Sequence, residues 1–403
     1  MKNQSLPYNF LLTRFNPKKI DQKKKLVCIT VSSWHKAFYA LLFLFLFSSA
    51  HAQNIPFLDS ANVYGEICTQ LAFYKKTVEV QNNSSKLGLY LDYAFENEIK
   101  VFGHMEWAVN LVDNNYSFNA SAVTDQNIPD ALFDETTPAF TTRLGYMGID
   151  FNKFGTLTVG KQWSAYYDVS GWTDQFIVFG GQASSTYLTG TDGGENGAGR
   201  AAKSVIYRNK LGPVSINLQA QFNGMRDNYG GSISVKFLKK LEIGAAVNDI
   251  RVSKEAEEYI VNVKDFELTA IFGIKYKSNK LYAAFNYNIN GGDVIPVHLS
   301  DTSLVYGYHF SGYELYTAYK IKPWIMAYAG LNIQVPTTKN AIIDDEFHME
   351  YYVLGGEVSF SPHIHAYIEV RLDNSVNTAG VNGFNVYTIG LNVKFNKAFK
   401  GKT

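Results

Sequence analysis

The densest run of functional side chains is Tyr166–Gly181, YYDVSGWTDQFIVFGG. Two carboxylates, Asp168 and Asp174, sit there among aromatics, ahead of a Gly-Gly bend. Elsewhere the groups able to do chemistry stand apart. His104 and Glu106 share one face of a strand, but two groups without further partners do not make a metal site. Asp192 is followed by Gly193 and Gly194, so the alternating oxygen ligands of a calcium loop are missing. Cys68 shares a polar face with Glu66 and Gln70 and reads as a small wall residue. No nucleophile, base and orienter form an ordered set. The expectation is therefore no enzyme, no cofactor and no metal. What these residues offer is fixed charge, and its effect depends on the elements that carry it.

Those elements are strands. Val214, Ile216, Leu218, Ala220 and Phe222 alternate with Ser215, Asn217, Gln219 and Gln221. The same period of two runs through Leu281–Ile289, His365–Leu372 and Tyr387–Phe395. It also gives Arg200 and Arg208 the same face of one strand. In a soluble sandwich the polar face would point outward; in a closed membrane barrel it lines the lumen.

Connector lengths decide between the two. Tight turns are expected at 96–98, 152–154, 209–213, 239–240, 278–280, 322–323 and 361–362. Between them lie longer loops near 113–139, 168–199, 291–311, 335–347 and 374–382, with shorter ones near 81–85, 224–230 and 252–264. Short turns at one end and long loops at the other are the habit of outer-membrane barrels. Seven turns and eight loops imply sixteen strands. The fold class expected is all-β, a sixteen-stranded antiparallel transmembrane barrel forming one domain, residues 53–403.

Residues 1–52 read as a cleaved signal peptide. A basic region precedes the apolar run Phe38–Phe47, and Ala50-His51-Ala52 supplies small residues for cleavage before Gln53. The run is shorter than the roughly 20 residues of a membrane-spanning helix. Removing it takes Cys28 and leaves Cys68 alone, so no intramolecular disulfide is available in an oxidising compartment. The remaining chain carries a net charge of about −6, which gives no electrostatic case for a nucleic-acid partner. No helix-length apolar run follows Phe47, and an aromatic content of 15% suits interfacial girdles.

Three stretches and the aromatic segment resemble the enterobacterial general porins of Gram-negative bacteria. They are KLGLYLDY (Lys86–Tyr93), TRLGYMGIDFNKFGTLTVGKQW (Thr142–Trp163) and GRAAKSVIYRN (Gly199–Asn209). The resemblance implies that the segment from Tyr166 folds into the barrel as a constriction loop. It also implies a positive ladder on the wall from Lys86, Arg143 and Arg200, with Arg208 beside them. A positive wall facing an acidic loop across a narrow aqueous gap governs ion selectivity.

The chain departs from that pattern at two places. Asp174 matches the family's first loop acid, but the second is Val178 here. A basic position on the first strand is Glu66 in NVYGE. Lys161 matches a family residue gripped by an acid of a neighbouring subunit, which implies a homotrimer; Asp134 or Glu135 would be the acid here. A lysine snorkelling at the membrane edge accounts for Lys161 equally well.

The function so implied is an outer-membrane channel for passive diffusion of small hydrophilic solutes and ions, in contact with membrane lipids and lipopolysaccharide. A substrate-selective channel would need an aromatic slide down one wall, and Tyr282, Tyr328 and Tyr367 are scattered in sequence. An outer-membrane enzyme would need a Ser-His or Asp-His set on the outward rim. Phe395 is expected to close the last strand, with Asn396–Thr403 as a tail.

Overall fold

A computed structural model describes residues 58–95, 99–112, 138–187, 192–224, 227–249, 260–261, 268–299, 302–337, 346–377 and 380–400. The expected signal segment, the expected turn at 96–98, and Asp134 and Glu135 lie outside the described residues.

Among the described residues eighteen strands follow in chain order. The first nine are β1 Ser60–Tyr74, β2 Thr77–Asn82, β3 Lys86–Ala94, β4 Lys100–Val109, β5 Phe140–Asp150, β6 Thr156–Trp163, β7 Arg200–Leu211, β8 Val214–Phe222 and β9 Asp227–Leu238. The rest are β10 Leu241–Asp249, β11 Ile260–Val261, β12 Leu268–Lys277, β13 Leu281–Leu299, β14 Thr302–Lys322, β15 Ile325–Pro336, β16 Met349–Ser361, β17 Ile364–Asp373 and β18 Val386–Lys400. β2 extends β1 as a hairpin, and β11 pairs briefly and in parallel with β14. The other sixteen pair antiparallel with their neighbours, and β1 closes the ring by pairing both β3 and β18.

The two faces of the wall are inverted relative to a soluble protein. On β8, Leu218 and Phe222 are more than half exposed while Asn217, Gln219 and Gln221 are buried. On β17, Ile368 is exposed while Tyr367, Glu369 and Arg371 are buried. Apolar side chains outward and polar side chains inward fit a barrel whose outer solvent is lipid. Phe95, Phe154, Phe237, Trp324, Phe360 and Phe395 are outward and exposed, all beside the short-turn end or its neighbouring residues. They form the aromatic girdle that anchors that end at the interface.

Several boundaries differ from the sequence expectation. The long loop expected at 291–311 is instead mostly strand, with β13 and β14 paired from Leu281↔Tyr319 to Leu299↔Thr302. Its alternation was hidden by Gly291-Gly292, where the register shifts between Asn288 and Gly291. The turns expected at 322–323 and 361–362 each lie one residue later, because Lys322 and Ser361 still belong to strands. The loop expected at 81–85 starts after Tyr74 and includes β2. Asn396–Lys400 is no tail: it continues β18 and pairs with Ser60–Tyr64.

Candidate functional site

Two bulges shape the wall where the cations stand. Between β4 and β5 the register shifts from Glu106↔Leu144 to Trp107↔Thr142, leaving Arg143 as the extra residue. Such a residue is re-aimed relative to strict alternation. Arg143 Nε lies 2.8 Å from Glu106 Oε1. Between β6 and β7 a second shift follows Gly160, whose φ is +133°. A Cβ there would collide with the carbonyl oxygen of Gly145, so the bend requires glycine.

Each cation singled out in the sequence has a carboxylate. Lys86 Nζ is 3.1 Å from Glu66, directly opposite on β1. Glu66 also meets Lys394 at 3.7 Å and accepts from the side chain of Asn392. Arg200 Nε is 3.3 Å from Asp192 Oδ2 and its guanidinium stands 5.4 Å above the Trp163 ring. Arg208 pairs with Asp168 at 3.0 Å and donates to the carbonyl oxygens of Trp163 and Ser164. The ammonium of Lys161 lies 2.5 Å from Oδ2 of Asp192, an acid of the same chain that it shares with Arg200. Burial pushes the Asp192 carboxyl up, but the Lys161 hydrogen bond and the two positive charges outweigh it and hold the group below the usual carboxylate range.

The segment between β6 and β7 begins with a single helical turn, α1 Tyr167–Ser170. Its base is tied by Ser164 Oγ donating to Ala198 O at 2.6 Å, and Tyr167 stacks on Trp163 at 3.9 Å between ring centroids. Asp174 Oδ2 accepts from the Tyr167 and Tyr187 hydroxyls at 2.9 and 2.7 Å. Burial and the Asp174 charge push both hydroxyls well above the ordinary tyrosine range, so both stay protonated as donors.

On both sides of Asp174 the segment hydrogen-bonds to polar side chains of strands remote in sequence. The N–H groups of Ile177, Val178 and Phe179 donate to the Glu369 carboxylate at 2.8, 2.9 and 2.6 Å. Gln182 N–H donates to Asn332 Oδ1, and Gln334 donates to Gln182 O. Asn286 donates to Ser170 O and Thr173 Oγ1, while Thr173 donates to Glu314. Tyr282 donates to Trp172 O at 2.7 Å. Val178 itself is buried against Phe179, Tyr351, Val353 and Tyr367.

Glu369, Glu314, Asn332 and Asn286 were not singled out in the sequence. Alternation gives them a polar face and nothing more, because their partners, backbone groups and the Thr173 hydroxyl, are ones that no spacing reveals. Tyr282, Tyr316 and Tyr328, scattered in sequence, meet on adjacent strands, with Tyr316 and Tyr328 stacked at 5.9 Å and Phe176 edge-on to Tyr316 at 4.8 Å. They pack under the segment.

Comparison with known proteins gives one consistent result. The model of a family described as Gram-negative porin matches residues 40–401. Outer membrane porin PhoE of Escherichia coli strain K12 is 24% identical over 396 residues, covering 89% of this chain and 99% of its own length. Outer membrane porin protein OmpD of Citrobacter koseri is 24% identical over 368 residues, covering 84% and 92%. Among solved structures, Salmonella typhi OmpF in complex with daunomycin aligns with a TM-score of 0.64 at 16% identity, over 83% of this chain and 97% of that one. OmpT of Vibrio cholerae in its trimer form aligns at 0.55, also at 16% identity, over 83% and 99%.

Proposed function

The chain belongs to the Gram-negative porin family, an outer-membrane barrel forming a diffusion channel, and from that membership we propose the layout and selectivity of its pore. The described parts of the segment, 164–187 and 192–199, fold into the lumen and set the narrowest passage. Small hydrophilic solutes and ions cross between it and the wall that carries Lys86, Arg143, Arg200 and Arg208. The observation that carries this reading is the hydrogen bonding of the segment to Glu369, Asn332, Glu314 and Asn286. All four are buried side chains on strands far around the ring from β6 and β7.

Ion selectivity is weak and leans toward anions. Lys86, Arg143 and Arg208 each face a carboxylate, while Lys161 and Arg200 share Asp192. The pairs cancel most of the transverse field; Lys161 and Arg200 share Asp192 and Lys86 and Lys394 share Glu66, which outweighs the charge of Asp174 and leaves a small positive excess. Recording the reversal potential across a planar bilayer in a salt gradient tests this reading. An ohmic channel with a small anion preference is expected, and a strongly cation-selective channel contradicts it.

The functional unit is a homotrimer in contact with outer-membrane lipids and lipopolysaccharide, a reading supported by the trimeric Vibrio cholerae neighbour. Within one chain the Lys161 ammonium is held by Asp192, and an acid of a neighbouring subunit would share it or compete for it. Trimers that dissociate on heating in detergent gels are expected, and a chain that migrates only as folded monomer under all mild conditions contradicts it.

A further inference from the structure

Resting on the channel reading above, we propose that the wall formed by β1, β3, β4 and β5 carries a binding subsite for carbohydrate, a short run of hydroxylated rings. The rings lie on the short-turn side of Lys86 and Glu66. Tyr64, Tyr90, Phe102, His104 and Tyr146 belong to the inward-facing set of four consecutive strands. The pairings Tyr64↔Gly88, Tyr90↔His104 and His104↔Tyr146 bring them together. They touch as one band: Tyr90 stacks on Phe102 at 5.8 Å, Phe102 meets Tyr146 edge-on at 6.3 Å, and His104 lies within 6.0 Å of Tyr64, Tyr90 and Tyr146. None of the five is fully buried.

The polar groups around this band suit the same occupant. At its upper edge Arg143 and Glu106 form a pair at 2.8 Å, and Tyr64 donates to the other oxygen of Glu106 at 2.8 Å. At its lower edge Lys100 pairs with Asp92 at 3.2 Å. Among the described residues the Tyr90 hydroxyl has no hydrogen-bond partner, although its ring touches both Phe102 and His104. A pyranose ring has an apolar C–H face and a rim of hydroxyls that both donate and accept. The ring faces would take the first, and the carboxylate–cation pairs at either edge would take the second. A simple ion gains little from aromatic faces and would read only the pairs. A purely apolar solute would be rejected by them, because it would strand charged groups without water.

Two variants test the subsite in the intact channel. Tyr90→Leu with Phe102→Leu keeps the wall apolar but removes the flat faces; Tyr90→Phe keeps the face and removes the hydroxyl. Single-channel current is recorded without sugar and then with maltotriose or maltohexaose at rising millimolar concentration. Open conductance without sugar reads the channel itself, and sugar-dependent interruption reads the subsite. The expected result is saturable block by the oligomer, weakened about tenfold in the double leucine variant and within about threefold of the parent in Tyr90→Phe. A conducting channel that the oligomers do not block overturns the subsite and leaves the channel standing. Block that is unchanged in the double leucine variant overturns it as well. A chain that inserts but does not conduct overturns both.

Discussion

The amide nitrogen of Val178 lies 2.9 Å from Oε1 of Glu369, a contact between residues 191 apart in sequence. Val178 stands where the related channels carry a loop acid, and the position is occupied on both sides. Its N–H is held by a carboxylate, and its side chain is buried at 8% exposure among Phe179, Tyr351 and Val353. Ile177 and Phe179 donate to the same carboxylate. Charge-assisted bonds of this kind are worth about 1.5–3 kcal/mol each.

Val178→Glu is expected to loosen the segment, since the new carboxylate would be forced beside Glu369, and two buried like charges at short range do not both ionise. The cost is about 2 kcal/mol or more, read as added noise in the open-channel current and faster proteolytic cleavage between Asp174 and Tyr187. A quiet channel with a cation-shifted reversal potential would mean instead that the side chain at 178 faces the water.

Arg200→Ala should shift the reversal potential toward cations, because Asp192 then keeps only Lys161. One unit charge about 6 Å from a passing ion is worth roughly 0.7 kcal/mol in an aqueous gap, a change of about threefold in relative permeability. An unchanged reversal potential would place Arg200 away from the ion path.

Strand alternation made the barrel legible, because one face of each strand meets lipid and the other does not. The strand count follows from the same signal together with turn chemistry. The failures have local causes. Gly291-Gly292 erased the alternation that joins β13 to its upper half. The bulge beside Gly160 interrupts the alternation at Lys161, and parity has no way to show Asp192 beside its ammonium. The charged residues of the site could be found because charge is conspicuous in an alternating strand. The acceptors that hold the segment could not, since Glu369 and Asn332 look like any other polar wall residue until the backbone groups they bind are known.

Asp192 gives the pH dependence a sign. Its carboxyl is held below the ordinary value of 3.8, so the stability it contributes is complete above that value and is lost as pH falls through the lower, folded one. Current noise from the base of the segment should therefore stay flat from neutral pH down to about pH 4 and rise only below it. Asp192→Asn should be noisier at neutral pH and lack the acid step. A rise between about pH 5 and 7 that Asp192→Asn removes would contradict the assignment.

Deleting Asn396–Thr403 should destabilise the barrel, because Asn396–Lys400 supplies five of the fifteen paired positions in the seam between β1 and β18. Backbone groups left open at a membrane edge are costly, about 0.5–1.5 kcal/mol for each hydrogen bond lost. The temperature at which the folded band converts to the unfolded band in detergent gels should fall. An unchanged conversion temperature would mean that the seam is closed by Val386–Phe395 alone.

In the proposed channel the segment between β6 and β7 narrows a water-filled lumen. The most direct measurement of this is single-channel conductance in a planar bilayer, comparing the parent with a variant in which Thr173–Gln182 is replaced by a short glycine-serine linker. Removing the aromatics and the strand-crossing hydrogen bonds should raise the conductance and admit larger neutral solutes, while the barrel stays folded by its gel mobility. A folded variant with the parent's conductance and the parent's solute cut-off would contradict the account.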